Sequence, residues 1–319
     1  MKRNKNFFFI LRIFIGGGLL FALFKLVPFK DIIDIYKTAS KFYIFLAFSL
    51  IFLGHIIGAL RWKFVLNFLG IPISFKEALY AFLSGTFFVL IFPSFLASDV
   101  FRGVVLSKRF KNRKKAFFSV FIDRLSGLVA LAGIVSFSYI LGKSLIKEKE
   151  VLWAVVGMFL LGMCTFFIIF SKSIFPVLKK IFKRIPKVKE KIESLRGEFA
   201  FLRKNPSLFF KTIVYFSLPI QITTILSFFY SAKAFALSIS FIHFFILIPI
   251  IMVIAFLPLT IAGLGTRDMA CVYFFSKLGV SEALSFSLSL LNFAFMVSIS
   301  LLGGVVYVMV YHRWMESGK

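Results

Sequence analysis

Long apolar runs separated by short basic segments dominate the pattern of hydrophobic and polar positions along this chain. Because a helix rises about 1.5 Å per residue, roughly 20 apolar residues are needed to cross the hydrocarbon core of a bilayer. Runs near that length predict six full spans, at residues 7–27, 42–60, 116–141, 151–170, 212–229 and 283–310. The pattern therefore predicts an all-α integral membrane protein.

Two further apolar runs, 78–95 and 234–266, lead into segments that contain proline, which read PSFLASDVFR and PLTIAGLGTRD. Proline removes a backbone donor and interrupts a helix. Non-helical backbone at membrane depth is tolerated only where protein or a polar cavity surrounds it. We therefore predict two re-entrant helical hairpins in addition to the six spans.

Composition supports a membrane protein and gives little support to an enzyme. Apolar residues make up 60% of the chain and the mean hydropathy is +0.95, which a soluble core with a polar shell cannot accommodate. Cys164 and Cys271 lie in apolar runs without ligand-like neighbours, and the three histidines are scattered. We expect no metal, no cofactor and no Ser-His-Asp, Cys-His or paired-carboxylate catalytic site.

The net charge of +26 comes largely from short loops. Residues 102–115 carry seven basic residues and no acid, and residues 172–211 carry twelve basic residues and three glutamates. Positive charge in short loops marks the cytoplasmic side, so the charge needs no nucleic-acid partner. We expect both loops and both termini on the cytoplasmic side of the cell (inner or plasma) membrane, with 78–95 entering from that side.

An internal repeat follows from a shift of 165 positions, which places Pro93 on Pro258 and Arg102 on Arg267. The same shift carries span 42–60 onto 207–225. We predict one domain, residues 1–319, whose copies have opposite topology. Repeat one covers about 7–142, repeat two covers about 151–311, and repeat two contains a basic cytoplasmic segment, 172–211. Secondary transporters place substrate sites between inverted repeats of this kind.

Several ionisable residues fall inside the apolar segments. Asp123 and Arg124 lie roughly 12 to 14 Å into their span, at a depth where charges usually face a partner or a hydrated path. We predict substrate-binding residues at Arg61, Asp99, Arg102, Asp123, Arg124, Arg267 and Asp268, and gating breaks at Pro93, Ser98, Pro258, Gly263 and Gly265. The arginines would bind phosphate and the aspartates would orient them or meet an ammonium group. Structural salt bridges are the alternative interpretation.

Four motifs carry a family resemblance: LRW at 60–62, P-x5-D-x2-R from Pro93, DRLSGL at 123–128 and P-x-T-I-x-G-L-G-x-R-D from Pro258. In this order they resemble the lysylphosphatidylglycerol synthase transmembrane, or flippase-like, family, which includes the flippase half of the multiple peptide resistance factor. The resemblance covers residues 10 to 311. Ala97 and Ser98 stand where the family commonly has glycines, and Asp268 stands where it usually has glutamate.

The resemblance implies a lipid translocase that moves a phospholipid, an aminoacyl-phospholipid or a lipid-linked headgroup between leaflets. No soluble aminoacyl-transferase domain is expected, so synthesis of aminoacylated lipid is not predicted. Membrane lipids with anionic or zwitterionic headgroups are the expected partners, and the sequence is compatible with an oligomer. The alternative is a non-transporting subunit that anchors or regulates a cell-envelope glycosyltransferase or lipid enzyme through 172–211. A membrane lipid transferase would need a carboxylate base.

Overall fold

The computed structural model describes residues 18, 21, 23, 25, 27–91, 96–110, 113–142, 149–171, 197, 199–256, 260 and 264–311, and no strand occurs among them. The helices are α1 (Phe29–Thr38), α2 (Lys41–Phe68), α3 (Phe75–Ile91), α4 (Leu96–Phe110), α5 (Arg113–Gly142), α6 (Lys149–Phe170), α7 (Pro206–Ala234), α8 (Phe241–Phe256), α9 (Thr266–Ser276) and α10 (Glu282–Val306). A π-helical turn, Ile213–Ser217, interrupts α7, and a second, Tyr307–Tyr311, follows α10.

Four of these helices, α2, α5, α7 and α10, are long and apolar enough to cross a membrane. They correspond to four of the six predicted spans, and the last of these, 283–310, continues past α10 into the π-helical turn. The predicted span 151–170 lies in α6, whereas most of 7–27 lies outside the described residues. The prediction of an all-α membrane protein is therefore confirmed.

Apolar side chains cover the outside of the bundle, and many polar ones lie inside. Phe45 and Trp153 are 70% and 72% exposed. By contrast, the described serines with no exposed surface are Ser84, Ser119, Ser126, Ser138, Ser217, Ser227, Ser231, Ser285, Ser287 and Ser289. This distribution suits a hydrocarbon solvent, in which small polar residues hold helices together.

The centre of the bundle joins α2, α7 and α10. The Ser227 hydroxyl of α7 donates to the Ala47 carbonyl of α2 at 2.9 Å. The Asn292 side-chain amide of α10 donates to the Ser231 hydroxyl at 3.2 Å. These contacts satisfy polar groups that would otherwise be buried without partners, and so fix the register of the three helices.

The helices α3 and α4 pack along each other. The rings of Phe88 and Phe101 stack with centroids 4.2 Å apart, and a Cβ added to Gly85 would lie 2.7 Å from the Ser98 hydroxyl. Residues 92–95, which join the two helices and include Pro93, lie outside the described residues. Two packed helices joined by so short a link must run in opposite directions.

The helices α8 and α9 also contact each other. Pro258 and Gly263, both in their connection, lie outside the described residues. Gly265 is described and has φ of 84°, a conformation that favours glycine, at the N-cap of α9. Its backbone N–H donates to Asp268 Oδ2 at 2.8 Å, which fixes the first turn of α9.

The order of elements repeats at the spacing found in the sequence. A shift of 165 carries 41–68 to 206–233, which is α7, and carries 75–91 to 240–256, which is α8. It carries α4 onto α9 and α5 onto α10 in the same way. Packing is reciprocal: α2 packs on α7, α3 packs on α10, and α8 packs on α5.

Close packing of α10 on α3 depends on Gly303. A Cβ at this position would overlap the Leu83 carbonyl oxygen and lie 2.9 Å from Thr86 Oγ1. We expect Gly303→Ala to destabilise the protein by about 1–3 kcal/mol, because the backbone of α3 must move. Thermal unfolding in detergent measures this.

Gly133, in the interior of α5, is the matched control, since a Cβ there would meet nothing within 4 Å. Gly133→Ala should leave stability unchanged or raise it by up to about 1 kcal/mol through helix propensity. An unfolding temperature of Gly303→Ala equal to that of the wild type would contradict the close approach of α10 to α3.

Candidate functional site

Asp123, in α5, accepts hydrogen bonds from two arginines on two other helices. Arg61 Nε of α2 lies 2.6 Å from Oδ1. Arg102 of α4 lies 3.2 Å and 3.1 Å from Oδ2 through Nη1 and Nη2. Asp123 is 1% exposed, so its negative charge is compensated by these two guanidinium groups, and α2, α4 and α5 are joined at one carboxylate.

Asp99 extends the same network on α4. Its Oδ1 accepts from Arg102 Nη2 at 2.7 Å, and its Oδ2 accepts from Arg124 Nε at 2.5 Å. The chain of contacts is therefore Arg61, Asp123, Arg102, Asp99 and Arg124, which we call the charge cluster. Asp99 and Arg102 lie three residues apart on α4, a spacing that places both on one face of a helix.

Arg102 is also held by aromatic rings. Its guanidinium carbon lies 5.1 Å from the Trp62 ring centroid and 4.7 Å from that of Phe82, distances typical of cation–π contacts. The Trp62 indole donates to the Ser119 hydroxyl at 3.1 Å. Within the described part of the chain, Arg102 Nε is buried without a hydrogen-bond partner. Arg102 is thus fixed in place with one donor unused.

Arg61 connects the charge cluster to α7. Its Nη1 donates to the Ser217 hydroxyl at 3.0 Å, and Ser217 donates to the Ser126 hydroxyl at 3.1 Å. Ser217 ends the π-helical turn of α7. Pro219, which follows, has no N–H to donate to the carbonyl of Tyr215, so the regular ladder is interrupted here. Sequence reasoning did not identify Ser217, although Pro219 marks the irregular turn.

A cavity of about 270 Å³ opens beside the charge cluster. It is lined by residues of α2, α3, α4, α5 and α10: His55, Arg61, Phe82, Thr86, Val89, Ser98, Arg102, Asp123, Arg124, Met296 and Ser300. The cluster has three arginines and two aspartates, so its formal charge is +1. Arg124 has a side chain that is 37% exposed, whereas the other four are at most 11% exposed.

The second predicted group, Arg267 and Asp268, lies elsewhere. Arg267 donates to Asp268 Oδ1 at 2.8 Å and to the Ser289 hydroxyl of α10 at 2.9 Å. Ser289 in turn donates to Asp268 Oδ1 at 2.6 Å. Neither charged residue lines the cavity. The pair is neutral, and its contacts hold the first turn of α9 against α10.

One face of α10 connects the two groups. Ser289 contacts Arg267, and Phe293 lies under its guanidinium at 5.3 Å. Met296 and Ser300 line the cavity. The spacings of four, three and four residues place all four side chains on the same face of a helix. A shift of α10 would therefore act on the cavity and on the Arg267–Asp268 pair together.

Two of the predicted gating residues lie at defined places in the structure. Ser98 lines the cavity and Gly265 caps α9. His55, Phe82, Met296 and Ser300 line the cavity but were not predicted, because in uniformly apolar helices the sequence does not mark which face turns inward. Among the described residues, no group of three or more His, Cys, Asp or Glu side chains could hold a metal ion.

Comparison with known proteins agrees with the motifs and the helices. The family model for the lysylphosphatidylglycerol synthase TM region matches residues 9–304. The chain is also 22% identical over 317 residues to the UPF0104 membrane protein MJ1595 of Methanocaldococcus jannaschii, with 94% of each chain covered. The family match spans nearly the whole chain, as the resemblance of the four motifs predicted. This multi-pass membrane protein therefore belongs to the lysylphosphatidylglycerol synthase TM-region family.

Proposed function

We propose that this protein moves a lipid with a phosphate-bearing headgroup between the leaflets of the cell membrane. The observation that carries the proposal is that four of the five residues of the charge cluster, Arg61, Arg102, Asp123 and Arg124, line a cavity inside an apolar bundle. Ionisable groups inside a membrane usually face a partner or a hydrated path. An anionic headgroup would be attracted to the three guanidinium groups that line the cavity.

The chemistry of the cavity suits a phosphate. Guanidinium groups bind phosphate oxygens through paired, charge-assisted hydrogen bonds. Arg61, Arg102 and Arg124 all reach the cavity, and the two aspartates hold them in fixed positions. Val89 and Met296 supply an apolar wall suited to the glycerol backbone and the start of the acyl chains.

For the architecture, we infer six spans and two re-entrant hairpins in an inverted repeat. Two observations support this architecture. The series of helices from α2 through α5 corresponds in order to the series from α7 through α10. The packing is reciprocal, because α3 packs on α10 and α8 packs on α5. Repeat one would cover 7–142 and repeat two 151–311, with both termini cytoplasmic. The hairpin α3–α4 would then lie against α10, a span of repeat two, and the hairpin α8–α9 would lie against α5, a span of repeat one. Inverted repeats of this kind occur in transporters that alternate access by rocking.

The second candidate is a membrane subunit that anchors or regulates an envelope enzyme through the basic segment 172–211. That segment has twelve basic residues and suits an anionic inner leaflet or an acidic partner. The two candidates differ in where the functional residues lie, since translocation depends on the cavity and anchoring depends on the loop.

Filling the cavity without changing its charges tests translocation. Ser300 of α10 is buried and lines the cavity, so Ser300→Leu should obstruct the headgroup and lower leaflet exchange about tenfold or more. Proteoliposomes with a fluorescent phospholipid and an impermeant quencher measure the exchange rate. The matched control is Ser298→Leu, because Ser298 lies on the exposed face of the same helix. Exchange at the wild-type rate in Ser300→Leu would contradict the proposal.

Charge changes separate the two candidates. Arg102→Gln removes the guanidinium that contacts both aspartates. It should lower the rate of lipid exchange about tenfold or more, which corresponds to the loss of roughly one charged hydrogen bond. Replacing the six lysines between 179 and 191 by glutamine should leave the rate within about twofold. The reverse result, loss of exchange or of envelope function only in the lysine variant, favours the anchoring subunit. Monodisperse elution of each variant confirms that it folds.

A further inference from the structure

The direction of the hydrogen bonds around Ser217 follows from the hydroxyl group beside it. The Ser126 hydroxyl donates to the Asp123 carbonyl oxygen at 2.9 Å. Because a hydroxyl has a single proton, Ser126 accepts the bond that joins it to Ser217 at 3.1 Å. The proton of Ser217 is used in that bond, so Ser217 presents only lone pairs to Arg61. Ser217 is therefore an acceptor, which is what a guanidinium group requires.

The Arg61 guanidinium is held at two of its nitrogens by two different helices. Nε donates to Asp123 Oδ1 of α5 at 2.6 Å, and Nη1 donates to the Ser217 hydroxyl of α7 at 3.0 Å. Because the group is planar, two contacts fix both its place and the orientation of its plane. Neither contact uses Nη2, and Arg61 lines the cavity. The two contacts together set the direction in which Nη2 can donate to a ligand.

A local irregularity of α7 brings Ser217 to this place. The Leu218 N–H donates to the Ile213 carbonyl, a spacing of five residues that defines a π-helical turn. Ser217 has no exposed surface, whereas Val214 and Tyr215 of the same turn are 53% and 64% exposed. Turns of this kind are rare and occur frequently at functional sites. The only serine of the turn is thus the residue that meets α2 and α5.

A purely structural role for Ser217 would be to hold α7 against α2. Other contacts between these helices already do so. The Ser227 hydroxyl donates to the Ala47 carbonyl, and Thr223 lies so close to Gly54 that an added Cβ would be 2.8 Å from its hydroxyl. These contacts involve no residue of the charge cluster. Ser217 differs from them because its partner on α2 lines the cavity.

From these contacts we propose that Ser217 is a positioning residue, which holds the Arg61 guanidinium toward the phosphate of a lipid headgroup in the cavity. This inference rests on the proposed function. Guanidinium binds phosphate well only when its donors point at the phosphate oxygens. Without the Ser217 acceptor, the guanidinium keeps its bond to Asp123 and can turn about it. Through Ser217, α7 thus acts on a cavity that residues of five other helices line.

The test measures lipid exchange in proteoliposomes of the full chain, with acyl-labelled phosphatidylglycerol or phosphatidylethanolamine, whichever the wild type exchanges faster. Ser217→Ala should lower the exchange rate at least about fivefold, because a hydrogen bond to a charged group is lost. The matched control is Ser231→Ala, which removes a buried serine of α7 whose partner, Asn292, lies outside the charge cluster. Its rate should stay within about twofold of the wild type. A wild-type rate in Ser217→Ala would overturn the inference.

A second background separates the positioning of Arg61 from support of the fold. Arg61→Lys keeps a positive charge beside Asp123 but lacks the second nitrogen that donates to Ser217. In this background Ser217→Ala should lower the rate less than about twofold, because residues that act through one contact are not additive. Where a rate is too low to measure, retention of the same lipid in native mass spectrometry gives the comparison.

The outcomes distinguish the positioning role from the proposed function. An equal loss of exchange in both backgrounds would show that Ser217 supports the fold, which overturns the positioning role and leaves translocation standing. If the wild type accelerates the exchange of neither lipid, the proposed function fails and the positioning role fails with it.

Discussion

The carboxylate of Asp123, shared by Arg61 and Arg102, is the contact on which the arrangement of the site depends. It joins α2, α4 and α5 in an apolar interior, where an unpaired charge is expensive. Removing one partner of such a buried pair typically costs about 3–5 kcal/mol. The helices therefore cannot slide past one another without exposing a charge to hydrocarbon. This constraint keeps the arginines in place beside the cavity that α2, α3, α4, α5 and α10 line.

The two copies of the repeat use their charges differently. In the first, the arginines outnumber the aspartates and line the cavity. In the second, Arg267 is satisfied by Asp268 and Ser289, and the group is neutral. The second pair thus holds α9 on α10, whereas the proposed anion binding falls to the charge cluster of the first copy. The face of α10 that touches both would couple a movement of α9 to the shape of the cavity.

Apolar runs predicted most of the helices because membrane spans need continuous hydrophobicity. Asp99, Arg102, Asp123 and Arg124 were predicted because charges are rare in such runs, and the structure places them in one cluster with Arg61. Sequence could not separate Arg267 and Asp268 from that cluster, because their partner, Ser289, is an ordinary residue of an apolar helix. Ser300, Met296 and Ser217 were missed for the same reason: packing alone decides which face of a span points inward.

The central claim is that the charge cluster and its cavity hold an anionic lipid headgroup. Native mass spectrometry of the gently purified protein tests this claim most directly, by measuring the mass of any lipid that resists detergent exchange. The account predicts one phosphate-bearing lipid, retained by the wild type and lost in the variant whose cavity is filled. Retention of the same lipid by that variant would contradict it.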